Sequence, residues 1–160
     1  MVSSLWVHDT AMLAAILLAA AATAAQPAVC PDPEKPCAGF RAHDLSFPLP
    51  KDGVARAEVR SAPFYAVVLV SGKRCRLTEP QRREAQAMFP GSKVFSARFG
   101  CDDDPENNVS YTNVDPKAGF LAVHAGADRA AAQAMLERVK ATGRFPGANI
   151  RQMQAVFVYP

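Results

Sequence analysis

The chain has 160 residues, a net charge of +3 and 49% hydrophobic residues, a composition typical of a globular protein rather than a disordered one. Its 18 lysines and arginines are scattered and form no aromatic-studded basic stripe, which argues against binding of nucleic acid. The apolar run Ala11–Ala22 falls short of the roughly 20 residues that a membrane-spanning helix needs.

The N-terminal segment is typical of a secretory signal peptide. Ala11–Ala22 has the length of the hydrophobic region, and the small residues after it suit cleavage after Ala24 or Ala25. We therefore predict a signal peptide at residues 1–25. The mature protein is then periplasmic or secreted, and no stable membrane anchor remains after cleavage.

Residues 26–61 are rich in proline and lack apolar periodicity, which predicts an extended arm or linker. All four cysteines follow the signal segment, and an oxidising compartment favours two disulfides. Three pairings are possible. The short spacing of Cys30 and Cys37 favours a local bridge, which leaves Cys75 to pair with Cys101. No metal site is expected, because the spacing does not match a zinc site.

The folded unit is expected to begin near residue 62, with a first strand at Phe64–Val70. Thr78 starts the sequence TEPQ, which combines a capping hydroxyl, a first-turn acid, a proline and a glutamine. This pattern predicts a helix start, and the helix is expected to end near Met88. The alternating segment Lys93–Phe99 predicts the second strand.

The second half of the chain repeats this order. Gly119–Gly126 predicts a strand, Asp128 is expected to cap a helix that ends at Gly143, and Asn149–Tyr159 predicts the last strand. The letters AQAMFPG of the first helix and turn recur as AQAM and FPG in the second. This repetition indicates that one helix-turn-strand unit is used twice.

Two strand-helix-strand units predict an α+β fold of βαββαβ order. This is a two-layer sandwich of a four-stranded antiparallel sheet with two helices on one face, its halves joined by a hairpin-like connection at residues 101–117. The side chains expected to face the helices are Phe95, Ala97, Phe99, Leu121 and Val123. The polar side chains expected on the open face are Ser96, Arg98, His124, Gln152 and Gln154.

The segment GFLAVHAGADRAAAQAMLERVKATGRFPGANIRQ, residues 119–152, resembles the second half of the SPOR domains of bacterial envelope proteins. In both, a strand ending in glycine is followed by an alanine-rich helix, a glycine and a closing strand. The resemblance implies a non-catalytic domain at residues 62–160 that needs no cofactor and binds peptidoglycan glycan strands on the open sheet face. The implied ligand-binding residues are Ser96, Arg98, His124, Gln152 and Gln154, with Tyr111 stacking on a sugar ring.

A second function class stays open. The protein could be a periplasmic protein-binding module, such as an inhibitor or immunity protein of an envelope-targeting toxin or hydrolase, that uses residues 101–117 or a sheet edge. The open face could also be polar only because water touches it. Enzyme activity is not expected, because no serine lies in a strand-turn-helix nucleophile setting. The acidic stretch Asp102–Asn108 lacks the spacing and the mid-loop glycine of a calcium-binding EF-hand loop.

Overall fold

The structure is a computed structural model that describes residue 29 and residues 35–50, 58–73, 76–97 and 108–159. Within these ranges the protein is α+β, with two helices and two antiparallel sheets of four and three strands. The predicted signal peptide, Arg98 and three of the four cysteines, Cys30, Cys75 and Cys101, lie outside the described residues.

The elements follow one another as β1 (Glu58–Arg60), β2 (Phe64–Lys73), α1 (Glu79–Met88), β3 (Val94–Ala97), β4 (Val109–Tyr111), β5 (Ala118–His124), α2 (Arg129–Ala141), β6 (Asn149–Met153) and β7 (Ala155–Val158). The strand order is β3-β5-β2-β6 in the four-stranded sheet and β1-β7-β4 in the three-stranded sheet. The predicted four-stranded antiparallel sheet and both predicted helices are confirmed. The three-stranded sheet was not predicted.

The start of α1 follows the sequence pattern closely. The side chain of Gln81 accepts a hydrogen bond from the backbone N–H of Thr78 at 2.8 Å, as expected of a capping glutamine. At the other end, the Gln86 amide donates to the carbonyls of Phe89 and Ser92, and its oxygen accepts from the Val94 N–H at 2.8 Å. Gln86 therefore fixes the start of β3 against the end of α1.

The start, buried stripe and end of α2 are all as predicted. Asp128 Oδ2 accepts a hydrogen bond from the Ala131 N–H at 3.2 Å and so caps the helix. Gly143 follows the helix with a φ of 66°, the left-handed conformation that glycine adopts at little cost. The buried residues of α2 are Ala132, Met135, Leu136 and Val139.

The buried apolar residues of both helices share one hydrophobic cluster, here called the helix core, with Val67, Val94, Leu121 and Val123 of the four-stranded sheet. The predicted inward placement of Leu121 and Val123 is confirmed. The predicted orientation of β3 is wrong, because Val94 faces the helix core while Phe95 lies in a different cluster. Alternation alone could not decide the orientation, since β3 is buried on both faces.

The opposite face of the four-stranded sheet is also buried, in a second cluster here called the sheet core. Its members from the four-stranded sheet are Phe64, Ala66, Val68, Phe95, Phe120, Ala122 and Met153. Residues of the three-stranded sheet and of the proline-rich arm cover them: Val109, Tyr111, Ala155, Phe157, Phe40, Leu45 and Phe47. The sheet face expected to be open is therefore mostly an interior surface.

The covering part of the proline-rich arm is residues 35–50, here called the arm segment. Leu45 and Phe47 are fully buried, and the backbone N–H of Leu45 donates to the Tyr111 hydroxyl at 2.9 Å. The carbonyl of His43 accepts from the Ser96 N–H at 3.0 Å, which ties the arm segment to β3. Cys37 is disulfide-bonded. The partner of Cys37 lies outside the described residues, so the Cys30–Cys37 and Cys75–Cys101 pairings stay predictions.

The chain crosses from one sheet to the other at two neighbouring places. The last predicted strand is interrupted at Gln154, where β6 of the larger sheet gives way to β7 of the smaller one. Ser61, between β1 and β2, marks the second crossing. It is fully buried, and its hydroxyl accepts from the Ala155 N–H at 3.0 Å. These contacts hold the two sheets together at one corner.

Candidate functional site

Two of the predicted ligand-binding residues are buried. Ser96 is 1% exposed and faces the helix core, because it is paired with Leu121. Tyr111 is 9% exposed, its hydroxyl accepts the Leu45 N–H, and its ring lies 5.1 Å from that of Phe95. Burial raises the pKa of Tyr111 well above its usual value. The expectation that these two side chains lie on the surface is wrong, because the sheet is covered on both faces.

The two predicted glutamines lie apart from each other. Gln152 is exposed, but it is paired with Tyr65, which packs against the helix core, so it belongs to the opposite sheet face from the one predicted. Gln154 holds the crossing between the sheets. Its amide donates to the Ser61 carbonyl at 3.0 Å, and its backbone N–H donates to Thr112 Oγ1 at 2.8 Å. The contacts of Gln154 are therefore structural.

His124 lies on the predicted face but is largely covered. It is paired with Ala66, and its ring lies 5.2 Å from that of Phe64. Burial lowers the pKa of His124 from 6.5 to about 4, so its imidazole is neutral at pH 7. Arg98, the remaining predicted site residue, is outside the described residues, so the predicted group of six is not seen together.

One part of the predicted face stays accessible, as an open cleft of about 720 Å³ at the end of the β2-β5 pairing. Twelve of the described residues line it: Val68, Ser71, Gly72, Lys73, Asn113, Val114, Asp115, Lys117, Ala118, Phe120, Asn149 and Arg151. Most of them come from β2, β5 and β6, and residues 113–117 form one wall. None of the five predicted ligand-binding residues that the structure describes lines this cleft.

The floor of the cleft follows from the strand register. Ser71 is paired with Phe120 and Lys73 with Ala118, while Asn149 of β6 is paired with Val68. The five residue steps from Val68 to Lys73 correspond to about 16 Å at the rise of a β-strand. The cleft is therefore elongated, with an apolar floor of Val68 and Phe120 and polar side chains at both ends and along one side.

The wall that follows β4 is held by local hydrogen bonds. Asn113 has a φ of 57°, a left-handed conformation that asparagine adopts more readily than most residues, and its amide donates to the Gln152 carbonyl at 3.1 Å. Asp115 Oδ1 accepts the Lys117 N–H at 2.8 Å. This turn fixes the position of the wall against the edge of β6.

Positive charge exceeds negative charge among the described residues of the cleft. Lys73, Lys117 and Arg151 line it together with one described carboxylate, that of Asp115. Arg151 Nε donates to Asn149 Oδ1 at 3.0 Å, which holds the guanidinium beside the carboxamide. Carboxamides, ammonium groups and a guanidinium over an apolar floor can bind hydroxyl, acetamido and anionic groups of a ligand.

The sequence contained a pattern that indicates burial of both sheet faces, but no pattern that indicates the cleft. Phe64–Leu69 is apolar at nearly every position, as is Phe120–Ala125, and such runs are typical of strands buried on both faces. The cleft residues come from the end of one strand, the start of another and a turn after β4. Nothing in their local sequence distinguishes them from ordinary exposed positions.

Among the described residues there is no group of three or more histidine, cysteine or acidic side chains arranged to hold a metal ion. Within the same ranges, neither helix has the length and apolar character needed to cross a membrane. Comparisons of the chain with protein-family models, with curated proteins and with solved structures gave no match.

Proposed function

We propose that the protein is a non-catalytic, exported envelope protein that binds peptidoglycan glycan strands in the cleft between Lys73 and Arg151. In this proposal β2, α1, β3, β5, α2 and β6 form a SPOR-like βαββαβ unit with both helices on one face. The three-stranded sheet and the arm segment are additions that cover most of the other face. Binding is therefore confined to the uncovered cleft instead of extending over the whole sheet.

The observation that carries the proposal is the combination of shape and chemistry in this cleft. Its length of about 16 Å along β2 suits a chain-like ligand that lies in an open cleft. Asn113 and Asn149 offer amide donors and acceptors for acetamido and hydroxyl groups, while the largely buried side chains of Phe120 and Val68 make the bottom of the cleft apolar. The residue types resemble those that the sequence predicted for the open face, although the residues themselves differ.

The proposal can be tested by sedimentation with insoluble peptidoglycan sacculi, with and without amidase removal of the stem peptides. Ser71→Tyr fills the cleft above Phe120 without changing its charge, so we expect binding to fall at least about tenfold, the loss of roughly 1.4 kcal/mol. Gln152→Tyr is the matched control, because Gln152 is exposed on the opposite sheet face. The control variant should bind like the unmodified protein.

Two other outcomes would contradict the proposal. Loss of binding in Gln152→Tyr with full binding in Ser71→Tyr would place the site on the other face of the sheet. No binding of the unmodified protein to either preparation of sacculi would remove the glycan function. A protein partner would then become the leading hypothesis.

A further inference from the structure

We infer that the cleft selects saccharides that carry an anionic group, a carboxylate or a phosphate, over neutral saccharides of the same length. This inference rests on the proposed function, because it concerns the same cleft. It goes beyond that function because binding of hydroxyl and acetamido groups alone would need no charge in the cleft. The charge distribution of the lining residues carries it.

The three cationic side chains of the cleft are not each paired with an acidic side chain of the described protein. Neither Lys73 nor Lys117 forms an ion pair with another described residue, and the described contacts of Arg151 are limited to the bond from Nε to Asn149 Oδ1. Some arginines elsewhere in the described protein do have acidic partners: Arg144 pairs with Glu84 at 2.6 Å and Arg82 with Glu79 at 2.7 Å. The cations of the cleft are thus available to a ligand.

Their placement favours an anion inside the cleft over one on the outer surface. Like charges around a concave, partly apolar surface repel one another and raise the local positive potential, which attracts anions. Lys73 lies at the end of β2, and Arg151 lies on β6 opposite Ala66. The positive charge therefore extends along the cleft, as expected for a ligand that bears charge at more than one unit.

A substitution at Asp115 tests whether the cleft prefers a negatively charged ligand, because it changes the charge of the cleft and nearly keeps its shape. Its Oδ1 accepts the Lys117 N–H at 2.8 Å, and an asparagine at this position can accept the same bond. Asp115→Asn removes the one negative charge among the described cleft residues while keeping the turn. If an anion binds there, this substitution should tighten binding by about twofold to fivefold, the size of an exposed charge pair.

The experiment is a calorimetric titration of the whole oxidised protein with three probes: a neutral oligomer of N-acetylglucosamine, an oligogalacturonate of equal length, and inorganic polyphosphate. We expect the oligogalacturonate or the polyphosphate to bind at least about tenfold more tightly than the neutral oligomer, and the affinity to fall as salt rises from about 0.05 M to about 0.5 M. Comparing the two anions identifies whether carboxylate or phosphate is preferred.

Variants assign the effect to the cleft. Lys73→Gln, Lys117→Gln and Arg151→Gln should each weaken binding of the anionic probe by a factor on the order of ten or less, and together by more than any one alone. Arg83→Gln and Arg138→Gln are matched controls, because these arginines are exposed on the two helices, outside the cleft residues. They should leave the affinity unchanged.

The outcomes separate this inference from the proposed function. Equal binding of neutral and anionic oligomers, or no response to the three glutamine substitutions, overturns anion selectivity even if sacculi are bound. Binding of an anionic probe that the cleft substitutions weaken, without any binding to sacculi, supports anion selectivity and overturns the peptidoglycan function. No binding of any probe or of sacculi overturns both.

Discussion

The two faces of the four-stranded sheet differ in what covers them. One face packs in the helix core, which consists of side chains from α1, α2 and the sheet, while the other packs in the sheet core under the three-stranded sheet and the arm segment. The helix core takes its buried members from residues 67–139. The sheet core joins segments as distant as Leu45 and Phe157. The comparison shows that this second face is mostly a structural interior, with the cleft as one opening in it, and it suggests three experiments.

The largest expected effect comes from removing a side chain of the arm segment. Phe47 is fully buried in the sheet core, and Phe89 is 2% exposed in the helix core. We expect Phe47→Ala and Phe89→Ala each to lower the free energy of unfolding by about 3–5 kcal/mol, as for other buried phenylalanines. Urea titration measures both, with Pro48→Ala at an exposed neighbour as the control.

This prediction distinguishes an integral arm segment from a tether. If residues 35–50 only tether the domain, Phe47→Ala will leave the free energy of unfolding within about 0.5 kcal/mol of the unmodified protein, as for surface substitutions. Phe89→Ala would then still be destabilising. A difference of this size between the two variants would contradict the described sheet core.

The next largest effect is the pH dependence of stability, which depends on a histidine on the sheet-core face. Burial lowers the pKa of His124 to about 4 in the folded protein, below the 6.5 of an exposed histidine. The unfolded chain therefore binds more protons between these values, so the contribution of His124 to stability should be constant above about pH 6.5 and fall toward pH 4, by at most about 1.4 kcal/mol per pH unit. Burial also lowers the pKa of His43, which adds to the slope.

Nuclear magnetic resonance of the imidazole protons measures the pKa of His124 directly, and His124→Gln should flatten the pH dependence of the unfolding free energy. A pKa near 6.5 would show that water reaches His124. The face would then be open, as the sequence first suggested. In that case the arm segment and the smaller sheet could not cover it as described.

The smallest expected effect concerns the capping bond at the start of α2. Asp128→Ala removes the bond from Asp128 Oδ2 to the Ala131 N–H and should cost about 1 kcal/mol of the free energy of unfolding. Asp128→Asn keeps a good capping oxygen and should cost less than half as much. Thermal unfolding of both variants measures the difference. Equal losses in the two would indicate that charge near the start of α2, instead of the capping bond, provides the stabilisation.

The helix side could be predicted because its signals are local. The capping residues Thr78 and Asp128, the buried stripe of α2 and the left-handed Gly143 all act within a few residues of the chain. Alternation also predicted the two faces of β5 correctly, since Leu121 and Val123 lie in the helix core and Phe120 and Ala122 in the sheet core.

The other side depends on contacts distant in sequence, which composition and periodicity do not encode. The Leu45 N–H meets the Tyr111 hydroxyl across 66 residues, and Ser61 meets Ala155 across 94. Proline-rich sequence around Phe47 is typical of linkers, so its burial had no local signal. Because these contacts could not be predicted, the site residues Ser96 and Tyr111 were expected on the surface. The cleft residues were missed because they come from three separate segments of the chain.

The central claim is that binding is confined to the cleft. Its most direct test is to titrate the oxidised protein with soluble peptidoglycan glycan fragments and to follow the chemical shifts of the backbone amides. The account predicts concentration-dependent shifts at residues 71–73, 113–118 and 149–151, with Gln152→Tyr leaving them unchanged and Ser71→Tyr abolishing them. Shifts confined to the helices, or to the outer residues Glu58 and Ser110 of the three-stranded sheet, would contradict it.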